Sequence, residues 1–80
     1  MKKADFYYKE IYLGTLFENG YFSYLITSNY NKDIDDIEYI VHTLEIIRES
    51  GLSETFDFDK YVDSWNNFTF KDNFYFKITD

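Results

Sequence analysis

The pair Asn19-Gly20 lies inside "IYLGTLFENGYFSYLITS", residues 11–28, where apolar and aromatic residues run up to it and away from it. Asn-Gly between two such runs is the strongest short-range hairpin signal, because a two-residue type I′ turn needs φ > 0 at both positions. A two-residue turn also sets the register. It places Phe17 opposite Phe22, Thr15 opposite Tyr24, Leu13 opposite Ile26 and Ile11 opposite Ser28. That mostly apolar face is expected on the core. The other face, with Tyr12, Gly14, Leu16, Tyr21 and Ser23, is mixed. Upstream, "DFYYKE" (5–10) either extends the first strand or forms a separate edge strand after a bend.

The pattern then changes period. Ile34, Ile37, Ile40, Val41, Leu44 and Ile47 recur at spacings of three and four, which is the stripe of an amphipathic helix. Asn31 or Asp33 suits its N-cap, and Gly51 suits the C′ position that ends it. Phe58, Tyr61, Val62 and Trp65 predict a shorter helix near 58–66, with Asp57 as N-cap. "FTFKDNFYFKIT" alternates again, as one bent strand or as a second hairpin turning at Asp72-Asn73. The expected fold is α+β: an antiparallel sheet, made of the N-terminal hairpin and a C-terminal strand or hairpin, packed against one long and one short helix. Residues 1–80 are expected to form a single compact domain.

Eighty residues make a small core, and aromatic rings compensate for that: nine Tyr, nine Phe and one Trp. Nineteen rings are more than such a core hides, so Tyr7, Tyr12, Tyr21, Tyr30, Tyr39 and Tyr75 are expected at least half-exposed.

Charge is unevenly placed. Residues 33–63 hold ten acids and two bases, a net −8, whereas the rest of the chain holds five acids and six bases. A phosphate backbone needs a Lys/Arg footprint, so direct nucleic-acid binding is disfavoured and a basic partner favoured. Asp35, Asp36 and Glu38 in a first helical turn are explained by the macrodipole. Glu45 and Glu49 are not, since they are four apart and near the negative end. Asp57, Asp59 and Asp63 follow on the next segment. Two helices side by side would join these groups into one acidic face, with Tyr39 and Trp65 as aromatic anchors of a protein interface.

Catalytic constellations are scarce. With one His and no Cys, no Cys-His pair or His-based metal cluster forms within one chain. No glycine-rich phosphate loop is present. "DFDKYVDSWNNF" fails as a calcium loop, with Val62 where glycine is required and Phe68 where the bidentate acid belongs. The sequence calls for no cofactor and no metal, and a non-enzymatic role is expected. The first residues do not read as an Arg-rich or Lys-plus-apolar leader and no apolar run nears 18 residues, so a soluble, cytoplasmic protein away from membranes is expected.

In length, acidity, lack of cysteine and composition the chain resembles small phage-encoded inhibitors of bacterial defence, of the anti-CRISPR and antirestriction type. That resemblance implies an inhibitor that occupies the basic nucleic-acid site of a defence complex, a CRISPR effector foremost, in the host cytosol. It carries no motif from which residue roles could be transferred. Locally, "YLGTLFENGYFSYLI" (12–26) is similar to the first hairpin of the N-terminal barrel of HipA-type toxin kinases, through Gly14-x-Leu16, a turn and Phe22-x-Tyr24. The alternative reading is an interaction module: an immunity protein or antitoxin that neutralises a basic toxin, or an oligomerising accessory subunit, a homo-oligomer included, that holds its partner through an apolar or sheet-edge contact.

Overall fold

A computed structural model describes residues 2–24, 37–68 and 74–79, without the side chains of Ile37 and Phe68. In chain order the elements are β1 (Lys3–Tyr8), β2 (Ile11–Phe17), β3 (Phe22–Tyr24), α1 (Ile37–Gly51), α2 (Phe58–Phe68) and β4 (Phe74–Thr79). The strands form one antiparallel sheet in the order β3-β2-β1-β4, so the fold is α+β as expected. Among the described residues no helix is long and apolar enough to cross a membrane.

β1 is a separate strand, but it lies in the middle of the sheet and not at its edge. It turns into β2 at Lys9-Glu10, where Lys9 adopts φ 56°, and β4 pairs along its other side. Of the C-terminal alternatives, a single strand is seen at 74–79; the Asp72-Asn73 turn falls outside the described residues.

The first hairpin turns at Asn19-Gly20 but in a different register. Leu16 faces Phe22, Thr15 faces Ser23 and Gly14 faces Tyr24. The loop is therefore three residues, Glu18–Gly20. Gly20 N–H donates to Phe17 O at 2.9 Å and Phe17 N–H to Tyr21 O at 2.8 Å. Within this loop only Gly20 takes positive φ, at 95°. Asn19 keeps negative φ, and its Oδ1 accepts the Tyr21 N–H at 3.0 Å. This is the three-residue hairpin class, a β-turn followed by a left-handed glycine.

A one-residue slip flips every side chain to the other face. Leu16 and Gly14 thus take the core side, and Phe17 and Thr15 the other. The expectation holds again at Leu13 and Ile11 because β2 bulges: Phe6 pairs with Gly14 but Tyr7 with Tyr12, leaving Leu13 as the extra residue. The expected pairings to Ile26 and Ser28 lie outside the described residues.

Both helices pack on the face bearing Ala4, Phe6, Leu13, Leu16, Phe22, Phe74 and Phe76. Ile40, Leu44 and Ile47 enter from α1, and Phe58 and Val62 from α2. Phe6 is the hub, with ring centroids 4.6 Å from Phe76, 5.5 Å from Phe74 and Trp65, and 6.2 Å from Phe22. α1 lies over β3 and α2 over β4.

Gly51 does not act as a left-handed cap. It is the last residue of α1, without positive φ, and it is pressed against Gly20. A Cβ on either glycine would overlap the other's carbonyl oxygen. This contact locks the hairpin loop to the end of α1. The N-cap expected at Asn31 or Asp33, and Ile34 of the apolar stripe, lie outside the described residues.

Candidate functional site

α1 turns four residues directly away from the core. Glu38, His42, Glu45 and Glu49 follow at spacings of four, three and four, and all are exposed. At about 100° per residue they fall in a strip roughly 60° wide, opposite Ile40, Leu44 and Ile47. The strip is about 16 Å long. Glu38, Val41, His42 and Glu45 frame a shallow, open hollow along it. Tyr39 and Ile46, 38% and 44% exposed, run beside the ridge as an apolar flank. Tyr39 also reaches under the helix, its ring 5.8 Å from Phe74.

The acids of α2 are placed differently. Asp57 caps the helix, its Oδ1 accepting the Lys60 N–H at 3.2 Å. An N-cap of this kind contributes about 1 kcal/mol. Asp59 pairs with Lys2 at 3.2 Å, the single salt bridge among the described residues. Asp63 accepts a hydrogen bond from Asn67 Nδ2 at 2.6 Å. Each of the three therefore has a local partner, whereas Glu38, Glu45 and Glu49 have none among the described residues. Asp35 and Asp36 lie outside the described residues.

Trp65 is half-buried among Phe6, Tyr61, Phe74 and Phe76, so its ring belongs chiefly to the core. Of the tyrosines expected at the surface, Tyr12, Tyr21, Tyr39 and Tyr75 are exposed and Tyr7 is half-buried; Tyr30 lies outside the described residues.

Two features have no counterpart in the sequence reading. The side-chain amide of Asn66 makes a pair of hydrogen bonds to one residue of the edge strand: Phe76 N–H donates to Oδ1 at 2.9 Å, and Nδ2 donates to Phe76 O at 3.1 Å. The sheet face away from the helices carries a polar chain, in which Tyr12 Oη meets Thr15 Oγ1 and Thr15 Oγ1 donates to Asp5 Oδ1 at 2.9 Å. Neither leaves a periodic trace, because Asn66 bonds a backbone in another element and the link from Thr15 to Asp5 crosses between two strands.

Comparison with protein-family models, with curated proteins and with solved structures found no match.

Proposed function

We propose that this chain is a non-enzymatic inhibitor whose acidic helical layer docks on the basic nucleic-acid-binding surface of a bacterial defence protein, a CRISPR effector foremost. The observation that carries this reading is the α1 ridge. Glu49 sits in the last turn, where the helix dipole disfavours it, and it repels Glu45 at i,i+4; Arg48 offsets only part of this, so helix stability accounts poorly for the pair. A docked cationic surface accounts for it better. Three carboxylates over about 16 Å compare with roughly five phosphates along one strand of duplex, so the mimicry of nucleic acid is partial. Tyr39 and Ile46 supply apolar contact beside the charges.

The test is competition. The protein is titrated into a CRISPR effector ribonucleoprotein bound to labelled target duplex, from about 50 mM to about 500 mM salt. Wild type displaces the duplex at low salt and loses potency as salt rises. Glu45→Lys/Glu49→Lys loses at least about tenfold in potency, or about 1.4 kcal/mol. A double variant that competes as well as wild type refutes the role of the ridge. The apolar flank supports a second reading, an antitoxin or accessory subunit. In that case Tyr39→Ala and Ile46→Ala weaken the complex more than charge reversal does.

A further inference from the structure

The sheet face opposite the helices is an aromatic surface. Tyr12, Tyr7 and Tyr75 are register partners on β2, β1 and β4 and form one row across three strands. Tyr7 stacks on Tyr75 at 5.2 Å and meets Tyr12 edge-on at 6.0 Å. Tyr12 is 47% exposed and Tyr75 39%. Tyr12, at one end of the row, is tied through Thr15 to Asp5. A tyrosine held in this way loses little side-chain freedom on docking.

We propose that a second copy of this chain covers this face, in a two-fold, sheet-to-sheet dimer. Charge selects the occupant. Among the described residues the helical segment 37–68 carries seven acids and two bases, whereas the strand segments carry three acids and four bases. Two copies meeting through their helices repel; two copies meeting through their sheets do not.

The row beside the tyrosines is also self-complementary. Asp5 and Lys77 are register partners on β1 and β4. A two-fold axis parallel to the strands and between β1 and β4 sets Asp5 against the partner's Lys77 and Tyr7 against the partner's Tyr75. Closed two-fold pairing is the commonest oligomer symmetry. With the axis there, β1 and β4 cover one another's counterparts, and two strands of six residues present roughly 190 Å² per copy. That is about a quarter of a standard interface, so the dimer is weak and concentration-dependent. The acidic ridges of both copies face outward, so the dimer does not rest on the inhibitor reading.

Sedimentation equilibrium of the full chain between about 10 μM and about 1 mM tests this. The average mass rises from one toward two protomers over that range. Tyr75→Glu and Lys77→Glu each raise the dissociation constant at least tenfold, while Glu45→Lys on the ridge does not weaken the dimer. Circular dichroism checks the folding of each variant. If Tyr75→Glu does not fold, the exposed Lys77→Glu decides. A monomer at the top of the range overturns the proposal. So does a dimer that Tyr75→Glu and Lys77→Glu leave intact, or one that Glu45→Lys weakens.

Discussion

Replacing Asn66 by alanine tests how the sheet ends. β4 is an edge strand, and an unpaired edge offers its N–H and C=O groups to any other strand. Asn66 meets this at Phe76, where its amide matches both the outward N–H and the outward C=O. In hydrogen-bonding terms it occupies the position of a neighbouring strand. Each bond contributes about 1 kcal/mol net, and both partners belong to a strand residue only 4% exposed. Removing the pair costs about 2 kcal/mol. Alanine returns roughly 0.5 kcal/mol through its higher helix propensity. The expected net loss for Asn66→Ala is thus about 1–2 kcal/mol. With a urea m-value near 1 kcal/mol/M, the midpoint falls by about 1–2 M.

Asn67→Ala is the internal control. It is the same substitution one residue on, but among the described residues the Asn67 amide bonds the exposed Asp63 alone. Its expected effect is within about 0.5 kcal/mol, because exposed positions away from special features tolerate change. Hydrogen exchange gives a second readout: the Phe76 amide exchanges about tenfold faster in Asn66→Ala, corresponding to about 1.4 kcal/mol of lost protection. Asn66→Asp keeps the acceptor for the Phe76 N–H but turns a carboxylate oxygen toward the Phe76 carbonyl, so it destabilises at least as much as alanine. Equal stability of the Asn66→Ala and Asn67→Ala variants, with unchanged exchange at Phe76, would show the reasoning to be wrong.

Three further outcomes follow from the geometry. Gly51→Ala places a methyl group against the Gly20 carbonyl and costs about 1–3 kcal/mol despite alanine's better helix propensity, seen as a lower urea midpoint. Lys9→Gly relieves a side chain held at φ 56° in the β1–β2 turn, so it raises stability by up to about 1 kcal/mol in the same assay. Glu49→Lys exchanges an acid for a base in the last turns of α1; it raises stability by about 0.3–1 kcal/mol while lowering affinity for a basic partner. An acid-to-base change that strengthens the fold and weakens binding separates the two roles of that residue.

The helices were legible because the periodicity that defines them is also the pattern that buries them. Ile40, Leu44 and Ile47 on α1, and Phe58 and Val62 on α2, are core residues, and Asp57 caps as its position implies. The hairpin was legible as a hairpin but not in register. Asn-Gly suits loops of two and of three residues, and the two differ by one residue, which inverts the faces of β2. Near the turn, the alternation of Phe17, Thr15 and Leu13 supports the wrong choice, because the bulge at Leu13 shifts the strand by one residue partway along. Gly51 has the composition of a helix stop, yet its lack of a side chain serves a contact with a loop about thirty residues away in sequence, and local pattern carries no information on such contacts. Asn66 is hidden for the same reason, since its partner is a backbone and backbones have no sequence signature.

The structure also separates acids that the sequence grouped together. By residue type, Glu45, Glu49, Asp57, Asp59 and Asp63 are one acidic run. By contact they are two sets. Asp57, Asp59 and Asp63 each have a use within the fold: a cap, an ion pair and a hydrogen bond to Asn67. Exposed ion pairs contribute little, so this does not make them strong stabilisers; it means that their presence needs no partner to account for it. Glu38, Glu45 and Glu49 share one outward strip; Glu49 in the last turn opposes the helix dipole, and Glu45 and Glu49 repel each other. A residue that costs local stability and has no contact among the described residues to offset it is better explained by something outside the fold. The α1 ridge, and not the acidic run as a whole, is therefore where charge reversal should separate binding from folding.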